Sequence, residues 1–140
     1  MKKHNAKNLL ALVLAFVLIA AAALTGCSGA PTAPDGAVTE LGEGSKTFEL
    51  TVEDKEGVIH SYRIHTDEEM VGFALIEHEL IEGEQGQYGM YIKSVLGQTL
   101  DYETDGMYWA FYVNGEYALT GVDQTPIQAD TAYLLKAEAA

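Results

Sequence analysis

The chain has 140 residues, with 21 acidic and 8 basic side chains and a formal net charge of −13. This length allows one ordinary domain. An acidic surface without a basic stripe repels phosphate backbones, so the composition excludes nucleic acid as a partner. The single cysteine, Cys27, cannot form an internal disulfide, and the domain must therefore be stabilised by its core alone.

Residues 1–26 have the organisation of a secretory signal peptide. Three lysines precede an apolar run of 16 residues, 9–24, and small residues follow it. The run is shorter than the roughly 18–20 residues of a stable membrane span, which favours a cleaved signal over the alternative, a retained transmembrane anchor. Cleavage would remove three of the eight basic residues and leave a net charge of −16.

Leu24, Thr25, Gly26 and Cys27 close this signal, and the four residues resemble the lipobox of bacterial lipoproteins. The resemblance implies that the Cys27 thiol receives a diacylglyceryl group and that cleavage leaves this residue as the new N-terminus. Two acyl chains give stable anchoring, whereas one chain is marginal. We therefore expect a protein that a lipid anchors to the cell membrane and that faces the extracytoplasmic side.

Residues 27–45 are predicted to form the lipidated cysteine and a flexible stalk. Within them, residues 28–36 have almost no large apolar side chain and cannot offset their ordering entropy by burial. The folded domain would then span residues 46–140.

The domain begins with a predicted β-hairpin. Residues 48–53 alternate between apolar and polar side chains, and residues 58–65 repeat the alternation after a turn at 54–57. Each segment therefore predicts a half-buried strand.

An amphipathic helix of about sixteen residues is predicted next. Thr66 and Glu69 have the spacing of a reciprocal capping box, and Gly83 is placed as a left-handed cap would be. The apolar face of this helix would consist of Met70, Phe73, Ala74, Leu80 and Ile81.

The C-terminal half is rich in predicted strands. They lie at residues 88–96, 107–113, 116–119 and 132–137, with a polar loop at 101–106. Asn114 and Gly115 tolerate the positive φ of a type I′ turn, which predicts a tight hairpin. These elements together predict an α+β domain, a mixed sheet with one helix on one face.

The candidate metal ligands do not form a convincing site. His60 and His65 are five apart in a strand and face opposite sides, and His78 with Glu82 would supply only two ligands from a solvated helix face. Residues 101–106 begin like a calcium loop, but Glu103 and Tyr112 depart from its third and twelfth positions. We interpret this segment as a polar hairpin loop and expect no metal site.

Six aromatic residues are concentrated in 26 positions near the C-terminus: Tyr108, Trp109, Phe111, Tyr112, Tyr117 and Tyr133. Strand alternation places Trp109 and Phe111 on one face and Tyr108 and Tyr112 on the other. One face must be core, and the other would expose tyrosines, which are common at binding surfaces. The alternative is that both faces are covered.

Three stretches of this half carry a family resemblance: residues 89–97, residues 108–116 with the Tyr-Trp…Tyr-Val-Asn-Gly-Glu run, and residues 121–130. They resemble the domain of unknown function DUF4430 of bacterial surface lipoproteins, which is related to the C-terminal domain of the cobalamin carriers transcobalamin and intrinsic factor. The resemblance implies a small β-grasp-like fold and binding without catalysis. We expect no bound cofactor. The resemblance adds cobalamin as a candidate.

The sequence thus predicts a lipid-anchored, non-catalytic binding module for a small ligand, a corrinoid among the candidates, or for a surface partner. Its ligand-binding residues would be Tyr108, Trp109, Tyr112, Asn114 and Tyr117. The alternative is a structural or adhesive envelope module that associates through strand edges. An enzyme is the third hypothesis, but no pair of nucleophile and base is recognisable.

Overall fold

The computed structural model describes residues 36–140, which form an α+β domain as predicted. Its elements, in chain order, are β1 (Val38–Gly42), β2 (Lys46–Glu53), β3 (Ile59–Thr66), α1 (Val71–Glu77), β4 (Ile81–Gly86), β5 (Gly89–Val95), β6 (Gln98–Thr99), β7 (Met107–Val113), β8 (Glu116–Tyr117), a 3-10 turn (Val122–Gln124) and β9 (Ala132–Ala139). No helix in this range is long and apolar enough to span a bilayer.

The strands form two sheets. The larger sheet has the order β1-β3-β2-β9-β7-β8, and the smaller has the order β4-β5-β6. The β1–β3 and β2–β9 pairs are parallel, whereas β2–β3, β7–β9 and β7–β8 are antiparallel. A mixed sheet with its first hairpin beside a parallel C-terminal strand agrees with the predicted β-grasp-like arrangement.

The core lies on one face of the larger sheet, which we call the inner face. Its buried side chains include Phe48, Leu50, Val52, Ile64, Trp109, Phe111, Tyr133 and Leu135. The helix α1 and the smaller sheet contribute to the same cluster, with Val71, Leu75, Ile92 and Val95 among their buried residues. The strands alternate, so their remaining side chains lie on the opposite, outer face.

Tyr133 connects the two sides of the aromatic core. Its ring meets Phe48 edge-on at 5.6 Å between centroids and stacks on Phe111 at 6.2 Å. Its buried hydroxyl donates to the Pro126 carbonyl and accepts from the Gln128 amide, both over 3.0 Å. Because the polar atom is satisfied, a tyrosine can lie in the core without a desolvation penalty.

The predicted helix of sixteen residues is wrong in length. α1 has seven residues, and the segment from Ile81 onward is a strand that pairs with β5. Gly83 does not cap a helix. It lies at a bulge in the β4–β5 pair, where a Cβ atom would be 2.5 Å from the Tyr91 carbonyl oxygen. Apolar residues at positions 80 and 81 fit either a helix or a strand, and the pairing of Ile81 with Val95 on β5 makes this segment a strand.

The predicted capping box and apolar helix face are also wrong in part. The hydroxyl of Thr66 accepts from the Glu68 amide and donates to the Glu77 carboxylate, and Met70, not Thr66, precedes the helix. Phe73 is 48% exposed, since α1 buries Val71, Gly72, Ala74 and Leu75 instead.

The N-terminal boundary of the folded part differs from the expectation. Residues 38–42, assigned above to the stalk, form β1 and pair in parallel with β3. Arg63 donates to Glu40 on β1 and to Glu49 on β2, and His65 contacts the same Glu40 carboxylate at 2.8 Å. A short, mostly exposed strand gains its stability from such pairing, which its own sequence does not reveal.

The two predicted hairpin turns are confirmed. Asn114 and Gly115 have φ values of 51° and 81°, as a type I′ turn requires. At the β2–β3 turn, Asp54 is buried, and one of its carboxylate oxygens accepts from the amides of Glu56 and Val58 while the other contacts His60 at 3.0 Å.

Candidate binding site at the edge of β7

A cavity of about 400 Å³ lies beside β7. Its other walls are the tip of the β4–β5 hairpin and residues 118–122, which lead from β8 to the 3-10 turn. The side chains that dominate its lining are Tyr88, Met90, Tyr91, Tyr108, Trp109 and Tyr117. An apolar cavity of this volume lies within the size range of small-molecule sites.

β7 contributes to the cavity from both of its faces. Trp109 lies on the inner face and is 5% exposed, and its indole N–H donates to the Gln98 carbonyl over 3.1 Å. Tyr108 lies on the outer face, as does Tyr117 on β8, which is 54% exposed. The cavity therefore wraps around the strand edge instead of lying on a single face.

Two tyrosines of the outer face, Tyr108 and Tyr112, are held by one carboxylate. Tyr112 donates to Glu138 on β9 over 2.8 Å, and Tyr108 donates to the other oxygen over 3.3 Å. The Tyr117 ring meets the Tyr112 ring edge-on at 5.5 Å. The hydrogen bond to Glu138 raises the pKa of Tyr112, and burial first, then nearby Tyr117 and Glu138, raises the pKa of Tyr108. Both phenols are therefore neutral donors at neutral pH.

The opposite wall is fixed to the 3-10 turn by Asp123. Its carboxylate accepts from the Met90 amide over 2.6 Å and from the Gln85 side chain over 3.2 Å. Next to it, the Gly121 amide donates to the Tyr88 carbonyl, and a Cβ atom at Gly121 would lie 2.6 Å from the Met90 nitrogen. Glycine is needed here because two backbones approach closely.

Three of the five predicted ligand-binding residues line this cavity: Tyr108, Trp109 and Tyr117. Tyr112 and Asn114 lie outside it. The Asn114 side-chain oxygen accepts from the Ala132 amide over 3.0 Å, so it closes the turn and the neighbouring strand end.

Sequence reasoning missed the residues of the other walls. Tyr88, Tyr91 and the 91% exposed Leu119 border the cavity from segments that the aromatic count did not include. The stretches 89–97 and 121–130, quoted above for the family resemblance, were the available signal. The lipobox residues Leu24, Thr25, Gly26 and Cys27 lie outside the described residues.

The candidate metal ligands remain apart in the part of the chain that the structure describes, where no cluster of three or more His, Cys, Asp or Glu side chains occurs. His60 contacts Asp54, whereas His65 contacts Glu40 and Thr47. The predicted polar loop at 101–106 is confirmed. One Asp101 oxygen accepts from the amides of Glu103 and Thr104, so the loop satisfies its own carboxylate.

Comparison with known proteins identifies the family of this region. Residues 69–137 match the family model described as "Domain of unknown function (DUF4430)". This segment is a DUF4430 domain. The match begins just before α1 and ends within β9, so it includes every wall of the cavity. No curated protein matches the chain.

Two solved structures are similar to this chain. A protein from Ruminococcus gnavus ATCC 29149, described as "a putative metal binding protein", is 28% identical, with a TM-score of 0.64 and coverage of 69% of this chain and 99% of its own. Haptocorrin in complex with Cbi is 15% identical, with a TM-score of 0.50. That alignment covers 66% of this chain and only 25% of haptocorrin, and it shows a shared fold.

Proposed function

We propose that this chain is a lipid-anchored, extracytoplasmic binding module whose ligand contacts the cavity at the edge of β7. The observation that carries the proposal is an uncharged, aromatic cavity whose rim tyrosine and leucine, Tyr117 and Leu119, are largely exposed. Large exposed apolar groups around a concave site are typical of ligand and partner recognition. The two structural neighbours, one described as "a putative metal binding protein" and the other haptocorrin in complex with Cbi, support a binding role.

The chemistry of the lining supports a non-catalytic role. The cavity presents aromatic rings, a thioether, hydroxyls and backbone groups, and none of its lining residues is an acid, a histidine, a lysine, an arginine or a cysteine. Its tyrosine and threonine hydroxyls would need an adjacent base to act as nucleophiles, and the lining supplies none. The structure of residues 36–140 also holds no side-chain cluster that fits a metal ion, so the proposal assigns none.

The membrane anchor is the part of the proposal that rests on residues 24–27. If Cys27 carries the lipid, the Cys27→Ser variant will leave the membrane fraction of the cells and appear in the soluble fraction. Thr25→Ser, which keeps a small side chain beside the cleavage site, is the matched control and should remain with the membranes. Membrane fractionation identical for both variants would contradict lipidation at Cys27.

Trp109 provides a direct test of ligand binding, since it is the only tryptophan in the chain and lines the cavity. Ligands from a library of small aromatic and amide compounds should change its fluorescence saturably. Tyr117→Ser combined with Leu119→Ser should weaken binding about tenfold or more, because these exposed side chains provide much of the rim.

The matched control for this variant is Tyr102→Ser. Tyr102 is about as exposed as Tyr117, but it lies in the 101–106 loop and does not line the cavity. Unchanged affinity of every detected ligand for the double rim variant would place binding elsewhere.

A corrinoid is the candidate that the family and the Cbi-bound neighbour favour. A cavity of about 400 Å³ is at the lower end for drug-sized ligands, so it would cover only part of so large a macrocycle. Titration of the full chain with cobalamin and with cobinamide should shift the corrinoid absorption bands. Spectra unchanged at high micromolar protein would remove this ligand class and leave the general proposal in place.

A further inference from the structure

The β7 strand is incompletely paired on the side of the cavity. β8 pairs with Tyr112 and Val113 only, and the Ala118 amide then donates to the Phe111 carbonyl over 2.9 Å. Beyond this point, no strand among residues 36–140 pairs with residues 107–110 on that side, whereas β9 pairs with them along the other. β7 therefore has a short free edge.

The direction of each backbone group on β7 follows from two flanking hydrogen bonds. The Asn114 amide donates to the Ala132 carbonyl, and the Ala140 amide donates to the Gly106 carbonyl, both over 2.8 Å. In an antiparallel pair the bonded residues alternate, so the even-numbered residues between them point to β9. The backbone groups of Met107 and Trp109 consequently point away from β9, toward the free edge.

The free edge opens into the apolar cavity. Tyr108, Trp109 and Phe111 are all lining residues, and the Trp109 amide and carbonyl have no backbone partner on this side within the described residues. Unpaired backbone donors and acceptors beside apolar walls need a partner of the same chemistry, which another peptide backbone supplies.

We infer that the β7 edge binds an extended peptide segment with a net positive charge, by addition of a strand to the larger sheet. The inference rests on the proposed binding role of the cavity and specifies its ligand class. Peptide side chains would alternate between the Tyr108–Tyr117 side and the Trp109–Phe111 side, as strand geometry requires. Residues 107–110 span roughly 13 Å, which is enough for about four peptide residues.

Charge determines which occupant fits best. Residues 36–140 carry 20 acidic and 5 basic side chains, and the lining itself is uncharged. The field of such a surface attracts a cationic segment and repels a second copy of this chain. Pairing of two β7 edges across a homodimer is therefore disfavoured, although its strand chemistry would be similar.

The test uses the isotope-labelled full chain in detergent and a defined probe, the blocked heptapeptide Lys-Val-Thr-Val-Thr-Val-Lys. Binding should shift and protect the amide resonances of Met107 and Trp109, whereas those of Tyr108 and Ala110, already bonded to β9, should change little. This alternation is specific to strand addition, because a ligand that only fills the cavity would not select odd-numbered amides.

Two N-methylated forms of the probe provide the matched control. Methylation of every second amide blocks one edge of an extended peptide, and methylation of the remaining amides blocks the other edge. One form should lose affinity about tenfold or more, and the other should bind within about twofold of the parent. Replacement of both lysines by glutamate should also weaken binding, and this difference should decrease with salt.

Each contrary result overturns the inference in a distinguishable way. Equal affinities of the two methylated forms, or no saturable binding at millimolar peptide, exclude strand addition while ligands detected through Trp109 fluorescence still support the proposed binding role. Protection of the Met107 and Trp109 amides in the free chain, together with a dimer in sedimentation, would identify a second copy as the occupant.

Discussion

The hydroxyl of Tyr112 on β7 donates a hydrogen bond of 2.8 Å to the Glu138 carboxylate on the neighbouring strand β9. Tyr108, four residues earlier on the same strand face, donates to the other oxygen of that carboxylate. The carboxylate of Glu138 thus orients two phenol rings, and one of them, Tyr108, lines the cavity. The arrangement predicts how the outer face responds to alkali.

Glu138→Gln should lower the pKa of Tyr112 toward its ordinary value of about 10, because the carboxylate that opposes phenolate formation is lost. A pKa raised by folding contributes stability below pH ~10, and this contribution disappears as pH rises through the folded-state value. The free energy of unfolding should therefore decrease less steeply above pH ~10 in the variant.

Ultraviolet titration of the phenolates and urea unfolding across this range measure both effects. Glu116→Gln, an exposed residue on β8 that does not bond these tyrosines, is the control and should titrate like the natural chain. Superimposable phenolate titrations of Glu138→Gln and the natural chain would contradict the assigned role of Glu138.

Five of the six strands of the larger sheet were predictable because their side-chain alternation or turn chemistry is local information, whereas β1 was assigned to the stalk. Residues 107–113 were predicted as a strand with the bounds that the structure gives to β7, and the turn at Asn114 was predicted from its own chemistry. The helix was predicted, but its length was not predictable, because Leu80 and Ile81 satisfy a helical pattern and only the pairing of Ile81 with β5 shows that a strand begins there.

The Asp54 carboxylate should make the stability of the chain sensitive to acid. Its contact with His60, and the amides of Val58 and Glu56, hold the pKa of Asp54 below its ordinary value against the effect of burial. A depressed pKa contributes stability above the unfolded value of about 3.9, and this is lost as pH falls through the lower folded value. The natural chain should therefore destabilise below pH ~4.

Asp54→Asn should be less stable at neutral pH by about 1–3 kcal/mol, since a buried charge-assisted hydrogen-bond network is weakened. Its stability should also depend less on pH below ~4. Asp130→Asn, at an exposed turn with φ of 57° that asparagine tolerates, serves as the control. Unfolding curves measured from pH 2 to 7 test both variants, and an unchanged acid slope in Asp54→Asn would exclude this carboxylate as the cause.

Asn114 has two structural roles that separate substitutions can distinguish. Its φ of 51° favours asparagine or glycine, and its side chain bonds the Ala132 amide. Asn114→Ala should lose both and cost about 2 kcal/mol, whereas Asn114→Gly loses only the hydrogen bond and should cost about 1 kcal/mol. Denaturant unfolding measures the difference, and equal losses would show that backbone strain makes no contribution.

The cavity could be predicted only in part, because its walls come from separate regions of the sequence. Tyr108, Trp109 and Tyr117 were found from their density in one strand and its hairpin. Tyr88 and Leu119 were not found in this way. They line the cavity because the β4–β5 hairpin packs closely against Gly121, and no pattern within either segment indicates that contact. The free edge is equally invisible in sequence, as it arises from the early end of β8.

Asp123 holds the β4–β5 hairpin against the 3-10 turn. Its bond of 2.6 Å to the Met90 amide is a charged acceptor on a backbone donor, a class that contributes about 1.5–3 kcal/mol. Asp123→Ala should therefore lower the free energy of unfolding by about that amount. It should also accelerate hydrogen exchange at the Met90 amide and shift Trp109 fluorescence to the red as the cavity admits water.

Asp123→Asn, which keeps an acceptor oxygen in place, should show a smaller version of each change and is the matched comparison. Both variants leave the Gly121 to Tyr88 hydrogen bond in place, so the hairpin should loosen without complete detachment. Natural exchange at Met90 together with natural Trp109 fluorescence in Asp123→Ala would mean that close glycine packing alone positions the wall. In that case Gly121→Ala, whose Cβ would meet the Met90 nitrogen at 2.6 Å, should be the variant that opens the cavity.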